Sequence, residues 1–177
     1  MIAVGGLLGV CLWTLFEYVF HRWLLYHKRF RLLRKLFWNG MHREHHMYLH
    51  MKDPDHHGVH VAISLPIAPL LVSGVGIATT SGWGLAIVAG WLLGYCLYEV
   101  LHWLFHSGHL ERGLGKFPPI RRLWAAHIVH HLHCADKNYG FITLFWDKRF
   151  HTYLPLDTSQ ARTHRARYSR PAMGGQR

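Results

Sequence analysis

WGLAIVAGWLLGYCLYEVLHWL, Trp83 to Leu104, decides the fold. Apart from Glu99 and His102 it is apolar, and it is near the ~20 residues that an α-helix needs to cross a bilayer core. Two more runs match it. Ile2 to Phe20 carries one charge, Glu17, near its end. Val59 to Thr79 carries no Asp, Glu, Lys or Arg but contains Pro66 and Pro69. The short link Thr80-Ser81-Gly82 makes the last two runs a helical hairpin. The first run lacks a basic leader and continues straight into a histidine-bearing stretch, so it reads as a retained span rather than a signal peptide.

Charge gives the spans a direction. All 20 Lys and Arg residues lie either in Arg22 to Lys52 or from Arg112 to the C-terminus. Three spans with the N-terminus outside put both basic segments in the cytoplasm, as the positive-inside rule requires. The formal charge of +11 therefore reads as membrane orientation, with no nucleic-acid partner, because the basic groups flank spans. The three cysteines, Cys11, Cys96 and Cys134, are far apart and form no disulfide framework or CxxC knuckle. The expected fold is all-α and integral to the membrane. Its parts are three transmembrane helices, an amphipathic interfacial helix near Phe30 to Trp38, and a cytoplasmic helical cap around His127. Residues 1–158 form one domain, and 159–177 a basic tail.

Histidine is the outlier, with 18 residues against 9 Asp plus Glu. Four groups stand out: His21 and His27; His42, His45 and His46 in HREHH; His102 and His106 in HWLFH; His127, His130 and His131 in HIVHH. Residues three and four apart share a helix face, so HxxHH presents three imidazoles to one side and HxxxH two. The topology brings every group to the cytoplasmic interface. Ten imidazoles suffice for two metals with about five ligands each. Glu17 lies four residues before His21, and Glu99 three before His102. A carboxylate inside an apolar span is costly and tends to mark function. Both are read as partners that orient ligand imidazoles. No catalytic residue beyond the metal ligands and no flavin- or nicotinamide-binding motif is read.

Imidazole suits Zn, Cu, Fe and Ni. A pair of irons can reduce oxygen and attack an unactivated C–H bond, and a substrate lying in the bilayer explains an interfacial site. Electrons then come from a separate protein, which the basic face would attract. A metal transporter would instead place polar ligands along a path within the spans. A bis-His haem carrier needs paired histidines within the bilayer and far fewer than ten.

Four stretches resemble the fatty acid hydroxylase/sterol desaturase superfamily of membrane di-iron enzymes: EYVFHR from Glu17, HREHH from His42, YEVLHWLFH from Tyr98 and HIVHH from His127. NYGFITLFWDKRFHTY from Asn138 is similar to the family's closing segment, which implies that it packs beneath the site. The resemblance is nearest the fatty acid 2-hydroxylase branch. It implies hydroxylation of the acyl chain of a fatty acid or membrane lipid, with two iron ions, O2 as co-substrate and a ferredoxin- or cytochrome-type electron donor. Zn can replace iron during purification. Sterol desaturation and carotenoid hydroxylation are alternatives on the same scaffold. The implied ligands are His21, His27, His42, His45, His46, His102, His106, His127, His130 and His131. The pattern departs from the family in the five residues between His21 and His27. A regular helix puts these two on different faces, so a break or bulge is expected before His27.

Overall fold

The computed structural model describes residues 2–25, 82–107 and 116–155. The expected span Val59–Thr79, the interfacial helix near Phe30, His27, the HREHH group and the C-terminal tail lie outside these residues. Within them the chain is helical, without strands. Helix α1 covers Ile2–Val19 and runs into a π-helical turn, Phe20–Leu25. Helix α2 covers Gly82–Ser107, α3 Pro118–Leu132 and α4 Phe145–Arg149. The π turn begins just before His21 and runs to Leu25, overlapping the interval in which a departure from α geometry is expected.

Two stretches among the described residues are long and apolar enough to cross a membrane, Ile2–Trp23 and Gly82–His106. Only 28% of each is buried within the protein. The core helix of a soluble protein would be mostly covered, whereas these helices expose Leu7, Leu12, Leu93, Leu97 and Val100. Trp83 and Trp103 are both well exposed. They stand twenty residues apart on α2, about 30 Å at 1.5 Å per residue. That is the thickness of a hydrocarbon core with an indole at each interface.

The two long helices run parallel. A Cβ built on Gly5 would lie 2.8 Å from the Ala86 Cβ, and one on Gly94 would lie 2.8 Å from Trp13. Between these levels, a Cβ on Gly9 would strike the Ile87 carbonyl, and one on Gly90 the Gly6 backbone. Small residues at four-residue spacing thus let the backbones touch, the usual means of joining helices where lipid removes the hydrophobic drive. Toward their C-terminal ends aromatic side chains fill the seam, with Trp13 still against Gly94. Trp13 packs edge-on against Trp91 and Tyr95, with ring centroids at 5.5 and 5.2 Å. Ile142 of the closing segment packs against the same cluster.

Helix α3 starts at Pro118-Pro119, where missing N–H groups cost nothing. It presents Trp124, Ala125 and Ile128 to Phe105 of α2 and to Phe141. The segment around His127 is therefore a helix, packed against Phe105 near the end of α2.

Gly90→Leu should force the two long helices apart and cost about 1–3 kcal/mol through overpacking. A melting temperature lowered by several degrees in detergent would report it. Gly82→Ala, whose Cβ would meet nothing within 4 Å, should leave the melting temperature unchanged.

Candidate metal centre

Six of the eight described histidines meet where α1, α2 and α3 end. On α2, His102 and His106 are one turn apart, with ring centroids at 4.8 Å. On α3, His127 and His131 repeat that spacing at 4.3 Å. The two pairs face each other, and one nitrogen from each of the four rings lies within 4.8 Å of all the others. His106 and His127 approach most closely, Nε2 to Nε2, at 2.8 Å. Two imidazoles bound to one ion at the usual ~2.1 Å, at right angles, hold their nitrogens about 3 Å apart. The four-histidine group has the dimensions of a single coordination sphere.

Protonation also suits a metal. Burial holds His127 well below the ordinary histidine range, and His106, His102, His130 and His21 add to the effect. The ring is therefore neutral at physiological pH, as a ligand must be.

A second group adjoins the first. His21 and His130 are buried, with ring centroids at 4.5 Å. His130 is also 5.6 Å from His131 of the first group. His21 Nδ1 donates to the Tyr139 carbonyl and His130 Nδ1 to the Lys137 carbonyl, each at 2.7 Å. A carbonyl only accepts, so the proton must sit on Nδ1 in both rings. Nε2 is then the atom each offers to a metal. The three histidines of HIVHH share one side of α3 but divide between the groups: His127 and His131 meet α2, and His130 meets α1.

The closing segment sets this geometry. Asn138 takes a left-handed conformation, φ 55°, and its side chain ties distant strands of backbone. Its amide donates to the carbonyls of Ala126 and Leu154, and its oxygen accepts from the Leu154 amide. The fully buried Asp147 carboxylate accepts from the amides of Tyr139 and Gly140 and from the Thr152 hydroxyl. Burial raises its pKa, opposed by these three donors. Tyr18 bonds Thr152 at 2.9 Å, and the Trp146 indole donates to Thr14 at 3.0 Å.

Glu17 is buried, and its carboxylate accepts the amide of Phe141. The partner on His21 Nδ1 is thus a backbone carbonyl, while Glu17 holds the loop that supplies it. Glu99 is half-buried on α2, one turn before His102. The Phe141 ring, held by Glu17, lies among His102, His127 and His21 at 4.8, 4.5 and 5.7 Å. Residue-by-residue reading of the chain missed Phe141, Asn138, Asp147 and the two carbonyls. The available signal was the NYG…WD pattern, in which a turn-forming Asn-Tyr-Gly precedes an acid able to cap it.

The family model described as fatty acid hydroxylase matches residues 6–152. A dihydroceramide fatty acyl 2-hydroxylase of Arabidopsis thaliana is 32% identical over 150 residues, covering 81% of this chain and 58% of its own length. A fatty acid 2-hydroxylase of Macaca fascicularis is 33% identical, covering 84% and 39%. The chain therefore spans between about two fifths and three fifths of these relatives. A solved structure titled full-length scs7p, with only its hydroxylase domain visible, superposes with a TM-score of 0.60 at 27% identity. The superposition covers 88% of this chain and 57% of that one.

Asp147→Asn would set an amide NH2 against at least one of three donors. The expected loss is about 1–3 kcal/mol, measured as a lower unfolding midpoint in detergent. An unchanged midpoint would mean that Asp147 does not hold the closing segment.

Proposed function

The chain belongs to the fatty acid hydroxylase family, and from that premise we propose that it is a multi-pass lipid hydroxylase containing two irons. Its substrate is the acyl chain of a fatty acid or membrane lipid. The observation that carries this reading is the convergence of His102, His106, His127 and His131 within 4.8 Å at the end of two membrane-crossing helices. The relatives named as 2-hydroxylases support acyl-chain chemistry.

His102, His106, His127 and His131 would hold one metal. His21 and His130 would contribute to the other, with His27, His42, His45 and His46 completing it. Bound iron supplies the redox chemistry by which one oxygen atom of O2 enters a C–H bond and the other leaves as water, with two electrons and two protons taken up. The protein's own residues supply placement. The Tyr139 and Lys137 carbonyls aim two rings, and Phe141 fills the space between the groups, excluding water from the buried imidazoles. Electrons would come from a separate ferredoxin- or cytochrome-type protein drawn to the basic face.

Parallel spans support the proposed topology. Two helices that cross in the same direction require the chain between them to return across the bilayer, and Val59–Thr79 is the apolar run available. With basic segments inside, the N-terminus lies outside and the histidines face the cytoplasm.

Cells expressing the protein should accumulate a lipid heavier by one oxygen atom, detected by mass spectrometry and absent with His130→Ala. No change in any lipid with the unaltered chain would count against hydroxylation. Elemental analysis of the purified protein should find two irons per chain. His127→Ala should weaken metal retention beyond the ~10–100-fold typical of losing a ligand's outer hydrogen-bond partner.

A further inference from the structure

The closing segment has an outer edge that the metal centre does not use. Its inner side carries Phe141, Asn138 and Asp147. Its outer side exposes Phe145 at 57% and Phe150 at 36%, together with Lys148, Arg149 and His151. The one acid in that stretch, Asp147, is fully buried. The outer edge is therefore aromatic and cationic, with no exposed carboxylate of the Asn138–Tyr153 segment to balance it.

Its place along α1 is fixed by two contacts. Trp146 donates to Thr14, and Phe150 stacks on Tyr18 at 5.4 Å. Thr14 precedes His21 by seven residues, which is about 10 Å of helix. It also follows directly on the exposed leucines Leu7, Leu8 and Leu12. Phe145 therefore continues the lipid-facing surface of α1. Lys148 turns back from that level, its Nζ lying 5.4 Å from the Tyr153 ring centroid. An aromatic residue on the apolar side with cations beside it is the arrangement of an interfacial anchor, in which long basic side chains reach up to headgroups.

We propose that the Phe145–Phe150 edge is a membrane-docking lip, with Phe145 inserted beside α1 and Lys148 and Arg149 bound to anionic phospholipid headgroups. The lip secures the outside of the segment whose inside aims His21 and His130. Attachment of the site to the bilayer then does not depend on the membrane-crossing helices alone. A soluble protein partner is disfavoured because Phe145 lies level with residues inside the apolar span.

The test uses the full chain in lipid nanodiscs, with Cys11, Cys96 and Cys134 replaced by serine and a bimane fluorophore at Phe145→Cys. Nitroxide-acyl phosphatidylglycerol and phosphatidylcholine serve as quenchers in the bilayer, and iodide as the aqueous one. Both lipids should quench, phosphatidylglycerol more strongly, and iodide hardly at all. Lys148→Gln and Arg149→Gln should each cut the preference for phosphatidylglycerol roughly fivefold, the effect of one basic group at an anionic surface. A bimane at Leu12→Cys should be quenched equally in all variants, showing that the fold persists. Strong iodide quenching at 145 with none from lipid would overturn the lip. So would shielding from iodide that appears only when a soluble protein is added. A lip confirmed in a protein without hydroxylase activity would leave this inference standing and remove only the proposed reaction.

Discussion

The hydrogen bond from the Phe141 amide to Glu17 is the contact on which the rest depends. A carboxylate inside an apolar helix is expensive unless donors satisfy it. A loop wedged between two membrane helices has the complementary difficulty, an amide with no water to bind. The amide answers one carboxylate oxygen, while Oε2 finds no hydrogen-bond partner among the described residues. Joining them fixes the closing segment between α1 and α2, sets Phe141 among the imidazoles, and brings the Tyr139 carbonyl to His21.

Glycine and aromatic residues divide the work of shaping that gap. Where α1 and α2 carry Gly5, Gly9, Ala86 and Gly90, the backbones meet. Beyond that level Trp13, Phe16, Trp91 and Tyr95 fill the seam with rings. Ile142 packs against this cluster and Phe141 against the histidines that follow it. The site thus lies past the glycine contact, at the ends of two parallel helices, and α3 closes it from the end of α2.

The sequence was most legible where the structure is periodic. HWLFH and HIVHH reveal their partnership because helical spacing puts residues three and four apart on one face, and the apolar runs reveal α1 and α2 by length. The five-residue interval after His21 signalled a departure from α geometry, and a π turn from Phe20 to Leu25 overlaps it. Other features were hidden. The division of HIVHH between two groups depends on where α1 and α2 stand relative to α3, which no local pattern encodes. Phe141 resembles any loop aromatic until Glu17 holds its amide. The orienting role assigned to Glu17 from its spacing to His21 assumed a contact within one helix, whereas its partner is 124 positions away. The close approach of the helices was written in the four-residue recurrence of small residues, a signal overshadowed by the apolar runs that contain it.

The two acceptors that fix His21 and His130 are main-chain atoms, and this changes how the region can vary. A carbonyl oxygen survives nearly every point substitution at its own position, so the partly exposed Lys137 side chain can be exchanged without removing the acceptor of His130, whereas the Tyr139 ring is buried against His21 and His130. What cannot vary is the count of residues. One insertion or deletion between Cys134 and Lys137 would shift both carbonyls relative to α3 at once. Homologous chains should therefore preserve the length of this stretch more strictly than its lettering.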